Sequence, residues 1–196
     1  MKKVLFTLSL TLFALVTYSQ ARLELGLKGG MNFSSIKADD VEDVNLESKT
    51  GYHAGIYGMI KIANIGIQPE VLYSRKGATV KDFSGSAQEE WDNEFVYLDI
   101  PVIAKFYLPL GLNLQAGPQF GMLLSAESDG DDVKDAYKNS DISAALGAGW
   151  DAPFGLRLTA RYLIGLNDID DSGFDQEQKN RMFQVSLGYS LIKLGK

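Results

Sequence analysis

Eight stretches of this chain alternate apolar and polar residues with a period of two, and the connections between them alternate between short and long. The stretches are roughly 22–34, 51–62, 65–75, 95–108, 112–125, 141–152, 155–166 and 181–192. A two-residue period belongs to β-strands, whose successive side chains point to opposite faces. Each stretch reaches or exceeds the roughly 9–11 residues that a tilted membrane-barrel strand needs. After the second, fourth and sixth come Ala63 with Asn64, Pro109 with Leu110 and Gly111, and the neighbourhood of Pro153, all turn-sized. After the others come connections of about a dozen to twenty residues, the long-loop side of a barrel. Short turns on one side, long loops on the other and both termini on the short side predict an all-β, eight-stranded antiparallel up-and-down barrel. A Greek-key sandwich would mix its connections. No linker or second domain interrupts the pattern.

The two faces then show which solvent each meets. In YLDIPVIAKFYL, residues 97–108, the even positions are wholly apolar and the odd ones carry Asp99 and Lys105. The same sorting holds along all eight strands: between the strand ends the apolar parity, for example Leu23, Leu25 and Leu27 or Leu156, Leu158 and Ala160, carries no charge, and Arg181, just before Phe183, sits at the loop end. The other parity carries Glu24, Lys28, Lys61, Glu70, Asp99, Lys105, Asp141, Asp151, Arg157 and Arg161, five of each sign. His53, Gln68, Asn113, Gln115, Gln119 and Gln184 share that face with many glycines. An eight-stranded barrel has a lumen only wide enough for side chains to fill. Charges buried there must be paired, and balanced signs meet that requirement. The ten are therefore read as a lumen ion-pair network rather than a catalytic cluster.

The aromatics of the apolar face are sorted by height. Phe33, Tyr52, Tyr73 and Phe183 fall at the long-loop ends of their strands, and Phe106, Trp150 and Tyr189 at the short-turn ends. Two girdles flanking an aliphatic band are how a membrane barrel meets its two interfaces. Phe120 and Tyr162 lie nearer the middle. The apolar face therefore meets lipid. Pro69, Pro101 and Pro118 fall inside strands, where each removes a ladder donor, and bulges or strand-end positions are expected there.

The chain opens with a basic pair, Lys2 and Lys3, an apolar run over 4–16, and then Ser19, Gln20 and Ala21. This is the layout of a secretory signal, with residues 1–20 removed by cleavage after Gln20 or Ala21, leaving 22–196 as the barrel domain. The exported chain has no cysteine, which excludes disulfides and thiolate chemistry. Without Lys2 and Lys3 it has 17 basic against 25 acidic side chains, a formal charge of −8 that argues against nucleic acid. Acid outside the lumen falls in the connections, as with Asp39, Asp40, Glu42, Asp43 and Glu47 in the first or Glu127, Asp129, Asp131, Asp132 and Asp135 in the third. The fourth, from Asp168, matches several calcium-loop offsets through Asp170, Ser172 and Gly173, but Lys179 stands where a bidentate Glu is required. It reads as a solvated acidic loop. His53, the only histidine, points inward; no outward His and Ser pair exists for lipid hydrolysis, and a hydrogen-bonded buried histidine is expected. No enzyme activity, metal or cofactor is expected.

The segments LGLKGGMNFSSI, IQPEVLYSRKGA, VYLDIPVIAKFYL, LNLQAGPQFGMLL, LGAGWD, LTARYLIGLNDI and FQVSLGYSL together resemble the PorT-like outer membrane β-barrel proteins of Bacteroidetes, over residues 25–191. Gln-Pro-Glu-x-x-Tyr at 68–73 and Ile-Pro-x-x-x-Lys at 100–105 are the more specific parts. The resemblance implies an outer membrane barrel set among lipid and inserted by the barrel-assembly machinery, although the chain runs past Leu191 instead of ending on an aromatic. It brings no catalytic motif. The family's namesake is linked to protein secretion and gliding, which makes a secretion component one alternative. The principal reading is a closed barrel whose acidic extracellular loops meet a protein partner, surface or envelope component. A soluble ligand-binding barrel of the lipocalin kind is the other alternative, opposed by ten charges where its apolar interior should be.

Overall fold

The computed structural model describes residues 21–36, 44–48, 50–82, 89–128, 131–132, 140–166 and 180–195. Its strands are β1 (Arg22–Ile36), β2 (Val44–Ser48), β3 (Thr50–Ile62), β4 (Ile65–Asp82), β5 (Glu89–Tyr107), β6 (Leu112–Ser128), β7 (Asp131–Asp132), β8 (Ser140–Asp151), β9 (Leu156–Gly165) and β10 (Asn180–Leu194). β1, β3, β4, β5, β6, β8, β9 and β10 pair antiparallel in chain order, and β10 pairs back onto β1 along Leu23↔Leu194 to Ile36↔Asn180. The sheet therefore closes into an eight-stranded up-and-down barrel, as the alternation and loop lengths predict. Closure leaves no barrel strand with an open edge, which backbone amides in hydrocarbon require. Residues 1–20 and the calcium-like segment 168–179 lie outside the described residues.

Several strands outrun their sequence signal at the long-loop end. β4 and β5 continue as a hairpin from Lys76↔Phe95 to Asp82↔Glu89, and β2 adds to the far part of β4. Glu89, Glu90, Asp92 and Glu94, expected in a loop, thus belong to β5. Backbone pairing needs no apolar face, so alternation ends before the ladder does.

The prolines correct a second expectation. None sits at a bulge. Register runs unbroken past each one, and the ladder merely skips two pairs beside it. β3 and β4 skip between Tyr57↔Glu70 and Ile60↔Ile67 around Pro69. β4 and β5 skip between Pro69↔Val102 and Leu72↔Asp99 around Pro101. β5 and β6 skip between Pro101↔Gln119 and Ala104↔Ala116 around Pro118. Each proline keeps its pair on the following strand and opens only towards the preceding one, where its missing N–H would have donated. The register shifts lie elsewhere, at Leu191 opposite the Leu25/Gly26 step and at Leu124 opposite Val96/Tyr97.

Burial inverts the usual arrangement of a soluble protein. Among the described residues, 19 polar or charged side chains are buried against 13 apolar ones, while 32 large apolar side chains are exposed. Among the described residues the charges on the outward face are Arg75 and Arg181, both towards the long-loop side, on β4 and β10. A monomer in water does not tolerate an apolar surface of this extent; lipid does.

Candidate functional site: the lumen and the apolar girdles

The interior is a stack of three polar clusters. Nearest the short turns, Arg157 on β9 pairs with Glu24 on β1 and reaches Asp151 on β8 at 3.2 Å. Arg22 holds the other oxygen of Glu24 at 2.8 Å, and Ser190 donates to Glu24 at 2.5 Å. Asp151 also takes Lys105 at 3.2 Å and the Tyr107 hydroxyl at 2.8 Å. Lys61 stands 3.7 Å from the Tyr107 ring centre, and the Arg157 guanidinium 4.8 Å from that of Tyr57. These contacts join residues as far apart in sequence as 24 and 190. Only a closed barrel brings them together.

In the middle, Glu70 on β4 meets Arg161 on β9 in a two-pronged pair, at 2.5 and 3.0 Å, and accepts from Lys28 on β1 at 2.9 Å. Gln68 donates to Glu70 at 2.7 Å. Arg161 continues through its Nε to Gln115 at 2.8 Å, and Gln115 donates to Asn113 at 2.7 Å. The side chains of Glu70 and Arg161 have no solvent exposure at all. A planar guanidinium satisfies two carboxylate oxygens and a third acceptor at once, which is what a charge in this position needs. Room for it comes from glycine: a Cβ on Gly147 would stand 2.9 Å from Arg161 Cγ. Gly26 lies under Tyr57 in the same way.

Towards the long loops the network divides. On one wall His53 is buried between Asn32 Oδ1 at 2.8 Å and Ser186 Oγ at 2.9 Å, and Gln184 and Ser74 complete the shell of Asn32. This is the satisfied histidine that the sequence predicts. On the opposite wall Lys76 donates to Asp99 at 3.0 Å and lies 4.3 Å from the Tyr97 ring centre, and Ser143 donates to Asp141 at 3.4 Å.

Of the ten charges predicted to share the lumen, Glu24, Lys105, Asp151 and Arg157 thus form one group, joined by Lys61 through the Tyr107 ring, and Lys28, Glu70 and Arg161 another, while Asp99 and Asp141 stand apart at the long-loop end. Sequence reading missed Lys76 and Arg22 as ion partners, and Tyr57, Tyr107, Ser186 and Ser190 as polar links. Tyr57 and Tyr107 share the lumen parity, and that was the available signal.

On the outside, Phe33, Tyr52, Tyr73 and Phe183 are exposed, and the Phe33 and Phe183 rings stand 6.5 Å apart across β1 and β10. Tyr162 pairs directly with Phe183 and so extends that row. At the turn end Phe106 and Tyr189 are exposed, and the Trp150 indole donates to the Leu110 carbonyl at 3.0 Å. An apolar ring with its polar tip turned to the rim suits a membrane interface.

A closed barrel, apolar outside and filled with ion pairs inside, defines a small transmembrane β-barrel protein. The sequence places it further: residues 18–171 match the outer membrane protein beta-barrel domain, and the chain belongs to that family. It is an outer membrane protein. Among solved structures it is similar to the neisserial surface protein A, NspA, with 12% identity over 88% of this chain and 98% of that one, TM-score 0.52. It is similar also to Ail, the attachment invasion locus protein of Yersinia pestis, with 16% identity over 86% and 98%, TM-score 0.51. Ail in complex with the heparin analogue sucrose octasulfate matches at 17% identity over 86% and 99%, TM-score 0.50. At these identities the likeness is one of fold. No curated protein matches the chain.

Proposed function

We propose that this protein is a closed, non-enzymatic anchor that holds four acidic loops at the cell surface for a cationic partner. The observation that carries the reading is the Lys28–Glu70–Arg161 cluster, which spans the lumen at mid-height from β1, β4 and β9 and has essentially no solvent around it. A barrel plugged in this way serves as a scaffold rather than a channel. What it displays follows from sequence: segments 37–49, 77–94 (largely the far end of the β4–β5 hairpin), 127–139 and 167–180 each hold five acidic residues against one or two lysines. Such loops attract basic surfaces and repel polyanions. Here the chain differs from Ail, whose structure holds a heparin analogue.

The test uses the protein folded in detergent and passed over immobilised heparin and immobilised polylysine at low and high salt. We expect passage through heparin and salt-sensitive retention on polylysine. Retention on heparin with passage through polylysine would overturn the reading.

A secretion or gliding component of the PorT kind is a second reading. It is favoured by the Gln-Pro-Glu-x-x-Tyr and Ile-Pro-x-x-x-Lys segments, whose Glu70 and Lys105 both lie in the lumen clusters. Cross-linking in whole envelopes that captures secretion proteins would support it. The barrel-assembly machinery is the expected partner during insertion under either reading.

A further inference from the structure

We propose that the long-loop end of the lumen holds a binding site for a small monovalent metal cation, sodium or potassium, between Asp99, Asp141 and Gln119. The site is built on three neighbouring strands. Asp99 on β5, Gly121 on β6 and Asp141 on β8 lie directly side by side in the ladder, and Gln119 sits beside Ser143 one step further along the same inner face. Gly121 has no side chain to fill the gap between the two carboxylates. A Cβ placed there would stand 3.0 Å from Asp99 Oδ1, 3.3 Å from Tyr97 Cδ1 and 3.5 Å from Asp141 Cβ, so both acids lean over the glycine and no side chain of β6 separates them there.

Second, one oxygen of each acid and the amide oxygen of Gln119 lack partners, while Lys76 holds the other oxygen of Asp99 and Ser143 that of Asp141. Asp99 Oδ2, Asp141 Oδ1 and Gln119 Oε1 are all buried without a hydrogen bond, although Asp99 is fully buried and Gln119 is 2% exposed. The other such atom among the described residues, Gln184 Oε1, belongs to the His53 wall. A buried acceptor without a donor costs about 1–3 kcal/mol, and more when charged. Three on adjoining positions of one inner face point to a ligand that accepts lone pairs. The carboxylate and amide oxygens suit a hard cation, and the absence of nitrogen or sulfur donors disfavours a transition metal.

Charge selects the valence. Among the described side chains at these positions, Asp99 and Asp141 bring two negative charges, and Lys76, on Asp99 Oδ1 at 3.0 Å, returns one positive. A single further positive charge brings the site to neutrality, which a poorly solvated interior favours. A divalent ion would overshoot unless Lys76 left its carboxylate. This site departs from the metal-free reading of the sequence, and it does not depend on what the loops meet.

The experiment follows the heat-unfolding midpoint of the full barrel in detergent, titrated with sodium chloride or potassium chloride. Choline chloride holds the ionic strength constant, because its cation is too large and too weakly coordinating for a buried site between carboxylates. We expect a saturable rise in midpoint with the alkali salt for the natural protein. The rise should be lost in Gly121→Ala, whose methyl would crowd Asp99 Oδ1, and in Asp141→Asn, which already supplies the missing neutrality. The isosteric second variant keeps the test open should the first not fold. Equal midpoints in sodium, potassium and choline for the natural protein would overturn the proposal. So would an alkali effect that persists undiminished in Asp141→Asn, since that would place the ion on the outer loops. A response to pH alone, with none to alkali, would mean that a proton holds the place of the ion, and would overturn it too.

Discussion

At the scale of single residues, the lumen and the lipid face make opposite demands on neighbouring positions. Leu114 is exposed to lipid and Gln115, next in line, is buried against Arg161 and Asn113. Leu114→Arg should cost about 2–4 kcal/mol, as charge does near mid-membrane on a barrel's outer face. Gln115→Arg should cost less, provided the added guanidinium is accommodated beside Arg161. Urea unfolding from lipid vesicles measures both, and equal costs would contradict the assignment of faces. Glu70→Gln strips the counter-charge from both Lys28 and Arg161. Leaving buried charges uncompensated costs about 3–5 kcal/mol, so the same titration should show one of the larger losses obtainable from a single isosteric change. A loss below about 1 kcal/mol, typical of exposed pairs, would mean that water reaches the cluster.

Among elements, the seams between strands are unequal. β9 and β10 pair without a break from Arg181↔Ile164 to Tyr189↔Leu156, and β1 and β3 from Arg22↔Lys61 to Phe33↔Thr50. The three seams joining β3, β4, β5 and β6 each lose two pairs beside a proline. Amide exchange in detergent should therefore be faster around Gly58, Val71 and Gly117 than at Gly29 or Ser186, because opening a seam is easier where its ladder is already interrupted. Uniform protection across all eight seams would contradict this. Strand existence, order and inner and outer faces were legible in the sequence because a two-residue period survives any pairing. The bulges at Leu191 and Leu124 were not: both fall among leucines and isoleucines, where a slipped residue leaves the apolar count unchanged. Leu191 and Ile192 consequently both face outward. The hairpin of β4 and β5 was hidden for the converse reason, its polar residues showing no alternation. Partners within the lumen were the least legible. Glu24 with Arg157, or Asn32 with Gln184, are set by closure and register, and a linear chain shows neither.

For the whole molecule, the central claim is that this sheet closes in a membrane with its apolar face outward. The signal-like first 20 residues, the acidic connections and the family all concern where the protein goes. The 32 exposed large apolar side chains among the described residues concern what it can dissolve in. The most direct measurement is gel mobility, cold against boiled, of the protein extracted by detergent from the outer membrane fraction. A closed barrel knit by interstrand ladders and buried ion pairs resists the detergent until heated. We expect the protein in that fraction, with one mobility before boiling and another after. Recovery of the protein in the soluble fraction, with a single mobility under both conditions, would contradict the claim and make the apolar face a protein core.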